Sequence, residues 1–176
     1  MIVTFCGHRE VNEPEKVRKW LHETIEGLIL EGANCFYLGG YGQFDAMAAD
    51  VVRELKGKYP IIRSVLVLPY LDRAYDMNRY DESIYPPLEK APKRYAISKR
   101  NEYMVDNTDV VVAYVIYGFG GASKTLRFAE RKHKRIVRYP VELFALRQLR
   151  FDLLDLLVCH RARLLYASIA SIVMFR

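Results

Sequence analysis

The chain reads as an α/β protein, a Rossmann-like three-layer sandwich with a mostly parallel sheet of about five strands. Two observations predict it. Short apolar runs alternate with longer stretches in which apolar residues recur every three to four positions, the pattern of buried strands joined by amphipathic helices. Three of these runs also end in a glycine-bearing turn: Phe5-Cys6-Gly7-His8-Arg9, Leu38-Gly39-Gly40-Tyr41-Gly42 and Tyr117-Gly118-Phe119-Gly120-Gly121. In an open parallel sheet the turns leaving the carboxyl ends of the strands line one crevice, so the three point to one ligand site. Glycine lets the backbone approach a phosphate closely, and a following helix adds free N–H groups and the positive end of its dipole. The expected ligand is therefore anionic.

Residues 2–6 predict a short buried strand. Residues 15–31 predict a helix, with Val17, Trp20, Leu21, Ile25, Leu28 and Ile29 at helical spacing, Pro14 suited to its start and Gly32 to its end. Cys35 to Leu38 is the second strand, and Phe44 to Leu55 the second helix, with Met47, Ala48, Val51, Val52 and Leu55 inward. Ile61 to Leu68 is the third strand. From Pro69 to about Pro92 the rhythm breaks into a segment rich in Tyr, Asp, Arg and Pro, read as a lid or as a packed surface excursion. A helix follows near Ser98 to Asn107, then a strand from Val110 to Ile116, a helix from about Ala122 to Lys132, and a fifth strand from Arg135 to Tyr139.

A single Rossmann-like domain is expected over residues 1–139, followed over residues 140–176 by a C-terminal helical extension that packs on it or makes a homo-oligomer. Within that extension Arg161 and Arg163 interrupt the apolar run, so no membrane span is expected. The 176 residues are 51% apolar and 27% charged, which fits a globular protein and excludes wholesale disorder. The chain begins at once with a strand and no basic-then-apolar leader, which reads as a cytoplasmic protein. Cys6, Cys35 and Cys159 are odd in number and widely separated, so they read as buried apolar residues, and no structural metal is expected. The net charge of +6 favours an anionic partner without requiring nucleic acid. The run Arg131-Lys132-His133-Lys134-Arg135 reads as a solvated cationic cap at a helix C-terminus.

The third turn approaches a P-loop, since Gly118, Ser123, Lys124 and Thr125 fit GxxxxGK[ST] except for serine at the second glycine. That loss, and a place after the fourth strand, argue against an NTPase. In the second turn Asp45 lies in the first turn of a helix, where it can accept a ribose hydroxyl, act as a general base, or only favour the helix dipole. In the first turn Arg9 suits bidentate phosphate binding, or a surface pair with Glu10 or Glu13, and His8 can donate to a phosphate or ribose oxygen. Arg100 and Asn101 precede the fourth strand and are placed at the rim of the same crevice.

Taken together, the FCGHR turn, the GGYGQFDAMAA turn, the KRNEYMV segment before DVVVAYV and the late GGASKT turn resemble the SLOG superfamily over residues 1–139. That group includes the LOG phosphoribohydrolases, the DNA-processing protein DprA and YpsA-like proteins, and the similarity is greatest to small bacterial proteins of the YpsA-like kind. The resemblance implies a domain that binds or senses a nucleotide or nucleotide-derived ligand, with no cofactor required. By motif match it places Gly7, His8 and Arg9 in the first ligand turn and Gly39, Gly40, Gly42 and Asp45 in the second. Arg100 and Asn101 fall at the rim, and Gly120, Gly121, Ser123 and Thr125 in the phosphate turn. LOG enzymes carry a PGGxGTxxE motif whose glutamate serves N-glycosidic hydrolysis. Here no glutamate stands at the matching position, and Glu130 falls too late. The alternative is thus a nucleoside monophosphate N-glycosidase in which Asp45 or Glu130 replaces that carboxylate, and DprA-like binding of single-stranded DNA stands third.

Overall fold

A computed structural model describes residues 1–89 and 91–140. The expected C-terminal helical extension lies, from residue 141 onward, outside the described residues. The described chain is an α/β fold built on one six-stranded sheet. Its elements run β1 (Ile2–Gly7), α1 (Pro14–Leu30), β2 (Cys35–Leu38), α2 (Gln43–Lys58), β3 (Arg63–Val67), β4 (Glu82–Ile84), α3 (Ala96–Asp106), β5 (Val110–Tyr114), α4 (Gly120–Arg131) and β6 (Arg135–Arg138). The strand order is β4-β3-β2-β1-β5-β6. Every neighbouring pair is parallel, with Val3 opposite Val110 and Ile2 opposite Cys35.

Alternation along the strands sends side chains to two separate cores. On one face Val3, Phe5, Val110, Val112 and Tyr114 pack with Val17, Leu21 and Ile25 of α1 and Phe44, Ala48 and Val51 of α2. On the other, Cys6, Val111 and Ala113 pack with Val105 of α3 and Leu126 and Ala129 of α4. The chain moves outward from β1 through β2, β3 and β4 and then returns to β5 on the other side of β1. The turns after β1 and β5 therefore diverge to opposite faces, and a crevice opens between them at the carboxyl ends.

The sixth strand corrects the expected count of five. Glu82-Ser83-Ile84 is too short to show a period, yet Asp81 fixes it. Its Oδ2 accepts from Ser64 N at 2.8 Å and Ser64 Oγ at 3.1 Å, its N–H donates to Ser64 O at 2.9 Å, and its carboxylate pairs with Lys56. Part of the tyrosine-rich segment is thus edge strand rather than lid. The basic run also has a more specific place than the end of its own helix. Lys134 Nζ donates to Asp106 O at 3.0 Å and Thr108 O at 2.7 Å, at the C-terminus of α3, and Lys132 pairs with Asp106 at 2.8 Å.

Candidate functional site

At the diverging turns lies a cavity of about 360 Å³. Of the residues singled out in the sequence, Gly7, His8, Arg9, Gly39, Asp45, Arg100, Asn101, Gly121 and Thr125 line it. The first two turns are joined by Gln43, whose N–H donates to Arg9 O at 2.7 Å while its Oε1 accepts from Val11 N at 2.9 Å. Gly42 makes that contact possible: its φ is +89°, and a Cβ there would lie 2.8 Å from Arg9 Cα.

Arg100 is not at the rim. It is 2% exposed. Its Nη1 donates to Gly39 O at 2.5 Å and Val67 O at 3.1 Å, and its guanidinium lies over the Tyr41 ring, 5.5 Å from the centroid. Its Nε is buried without a hydrogen-bond partner. Burial pulls this guanidinium below its ordinary value while the Asp45 carboxylate opposes the shift, and it remains a cation at physiological pH. Asp45 keeps some surface towards the cavity but is enclosed by protein at depth. Loss of hydration pushes its carboxyl up, against the pull of Arg100 and of the backbone N–H groups of Tyr41 and Gly39. The Tyr41 N–H reaches Asp45 Oδ2 at 3.1 Å.

On the opposite wall α4 begins with no side-chain cap, so its first N–H groups lack an intrahelical partner. Gly121 and Ala122 bring that helix start to the cavity. Asn101 Nδ2 donates to Thr125 Oγ1 at 3.1 Å, and Thr125 Oγ1 donates to Gly121 O at 3.0 Å, linking α3 to the turn. Thr125 also borders a second cavity of about 250 Å³ between α3 and α4, lined by Lys124, Arg127 and Arg131. Cys6 closes the wall beneath: its Sγ donates to Ala122 O at 3.1 Å, and burial pushes the thiol up to about 12, so it stays protonated and unreactive.

Four expected residues do not face the main cavity. Gly40 borders a smaller one of about 180 Å³ with Tyr75 and Tyr80. Gly42 packs against Arg9, and Gly120, with φ +86°, lets the chain enter α4. Ser123 is buried and its hydroxyl accepts from Arg127 Nη2 at 3.0 Å. Glu130 is also remote: it is exposed and pairs with Arg138 at 2.5 Å. Conversely, Tyr41, Ile97 and Met104 line the cavity without having been singled out. Ile97 and Met104 flank Arg100 at helical spacing, a signal that could have marked them as one face.

His8 ties the first turn to the third. Its Nε2 accepts from the N–H groups of Ile116 and Tyr117, both at 3.1 Å, a pattern that assigns the proton to Nδ1. Burial lowers its pKa from the ordinary 6.5. The unfolded chain then takes up a proton more readily than the folded one, so this group's contribution to stability is complete above about 6.5 and is lost as the pH falls through the lower folded value. The urea midpoint of the native protein should therefore drop between pH 7.5 and 5.5 and that of His8→Gln should not; equal drops would remove His8 as the cause.

No protein-family model matches the chain, and no curated protein matches it either. Solved structures do. DNA processing protein A from Helicobacter pylori, described for its single-stranded DNA binding mode, superposes with a TM-score of 0.56 at 19% identity, over 80% of this chain and 65% of that one. This chain thus spans just under two thirds of that structure's length. The fold is Rossmann-like. TM1055, a structural-genomics target, gives 0.54 at 18% identity over 77% of this chain and 71% of its own. The molybdenum cofactor carrier protein of Chlamydomonas reinhardtii gives 0.55 at 16% over 84% and 83%. At these identities the likeness extends to the fold alone. Among the described residues no helix is long and apolar enough to cross a membrane.

Proposed function

We propose that this chain is a SLOG-type domain of the YpsA-like kind, working in the cytoplasm, that binds a nucleotide or nucleotide-derived ligand of phosphoribosyl type at the carboxyl ends of β1, β2 and β5. The observation that carries the reading is that Arg100 and Asp45, near enough for each charge to act on the other, line one wall of a cavity whose other wall is the uncapped start of α4. A phosphate dianion suits the helix start, the field of the buried guanidinium and the exposed Arg9 at the mouth. Asp45 then stands as acceptor for a ribose hydroxyl. A cavity of about 360 Å³ is of the size such ligands occupy.

Gly121 supplies the test. A Cβ at this position would meet nothing within 4 Å, so packing does not demand glycine there, whereas close approach of a ligand does. Gly121→Ala should leave the fold intact or raise its stability by up to about 1 kcal/mol, since alanine favours a helix, and should weaken nucleotide binding at least tenfold. Native mass spectrometry of the freshly purified protein, then incubation with nucleoside monophosphates, ADP-ribose and dinucleotides, reads the adduct directly. A bound ligand with no free base supports the binder; no adduct in any case sinks it.

A second reading, N-glycosidic hydrolysis, draws on the raised carboxyl of Asp45 inside the same cavity, a group poised to exchange a proton. Its signature is release of free base that Asp45→Asn abolishes while binding persists. Single-stranded DNA stands third, resting on the likeness to DNA processing protein A, and a steep loss of affinity with salt would mark it.

A further inference from the structure

Beside the cavity, the turn between β5 and α4 exposes two aromatic rings. Tyr117 is 47% exposed and Phe119 73%. They stack on each other with centroids 5.6 Å apart and planes 22° from parallel. Large apolar side chains are ordinarily withdrawn from water, and these two are displayed as one flat surface.

The surface is held in place from beneath. Tyr117 packs on His8, ring centroids 5.1 Å apart, and its hydroxyl is 3.5 Å from Asn12 Nδ2. The backbone of the turn is fixed at three successive residues: Ile116 and Tyr117 by His8, and Gly118 through its carbonyl by Arg127. Phe119 then runs extended into Gly120 and Gly121, the start of α4. The platform thus adjoins the cavity through two of its lining residues, His8 beneath Tyr117 and Gly121 two positions after Phe119.

We infer that Tyr117 and Phe119 are the base-binding subsite of this protein, stacking the planar heterocycle of a nucleotide whose phosphate lies at the start of α4. The inference rests on the nucleotide reading above and adds where the base goes. A rigid, preformed π surface binds any base face with little ordering cost and no hydrogen-bond code, so discrimination among bases is weak while discrimination between a nucleotide and its base-free sugar phosphate is strong.

Calorimetric titration of the full chain with AMP and with ribose 5-phosphate separates the two claims. The expected result is that AMP binds at least about tenfold tighter than ribose 5-phosphate. Phe119→Ala and Tyr117→Ala should each remove most of that advantage while leaving ribose 5-phosphate affinity unchanged. Phe119→Leu keeps an apolar side chain but no π face and should behave as Phe119→Ala. Equal affinity for the two compounds in the native protein, or an equal loss for both in Phe119→Ala, overturns the platform and leaves the phosphate site standing. Absence of binding by either compound overturns both. An oligo(dT) arm identifies the source of the base: tighter, salt-steep binding with the same Phe119 dependence supports the platform and assigns it to a single strand, and oligo(dT) binding independent of Phe119 counts against it.

Discussion

Arg100→Ala is expected to destabilise the domain by about 3 kcal/mol or more, since hydrogen bonds from a charged group are worth about 1.5–3 kcal/mol each and a large buried side chain is lost with them. Against a total stability of about 5–15 kcal/mol for a domain, such a loss leaves little folded protein at the low end. Three consequences act together. The carbonyls of Gly39 and Val67 lose their donor, Asp45 loses the cation that supports its charge, and the side chain's volume is left empty between α3 and β3. Arg100→Lys keeps the charge but not the planar fork, so it should recover only part of the loss. Arg100→Met combined with Asp45→Leu should be closer to native than Arg100→Ala alone, because no uncompensated charge remains. Urea midpoints at pH 7 decide the matter, and a fall of less than about 1 kcal/mol for Arg100→Ala would show the buried guanidinium to be dispensable.

Gly7→Ala should be the second most damaging change, and for a steric reason. The ideal Cβ would lie 2.2 Å from Phe44 Cδ1 and 2.4 Å from its Cγ, with Phe44 Cβ itself only 2.8 Å away. Phe44 is 1% exposed and stacked on Tyr114 at 5.4 Å, so it has nowhere to retreat. Forcing a methyl into such a site costs about 1–3 kcal/mol or more. It also pushes the start of α2, and Asp45 with it, away from β1. Stability and ligand affinity should therefore fall together, whereas Gly118→Ala, where a Cβ meets nothing within 4 Å, should change neither. A native-like melting curve for Gly7→Ala would refute the collision.

Most of the fold was legible because its strands are continuous apolar runs and its helices have one clear apolar face. Cys35–Leu38 emerges with the expected bounds, and α1 and α2 differ by a few residues at their ends. What escaped was β4, whose three residues include an exposed serine and owe their pairing to Asp81 and Ser64, partners 17 positions apart. The site divides in the same way. Local chemistry marked the turns, their glycines, Asp45 and Arg100. Depth was invisible: an arginine between a lysine and an asparagine reads as exposed, and only the close passage of Gly39 over α3 creates the buried berth it fills. The family resemblance puts Ser123 in the phosphate turn, but Arg127, one helical turn on, claims its hydroxyl.

The cross-ties made by Gln43 and His8 bear on kinetics. Gln43 fastens the second turn to the first, and His8 fastens the first to the third, each by a pair of hydrogen bonds. The three turns are therefore assembled before any ligand arrives. A ligand of the proposed kind would meet a template instead of gathering loose loops, so little of its free energy of association would go to ordering backbone, and its capture should show no slow conformational phase.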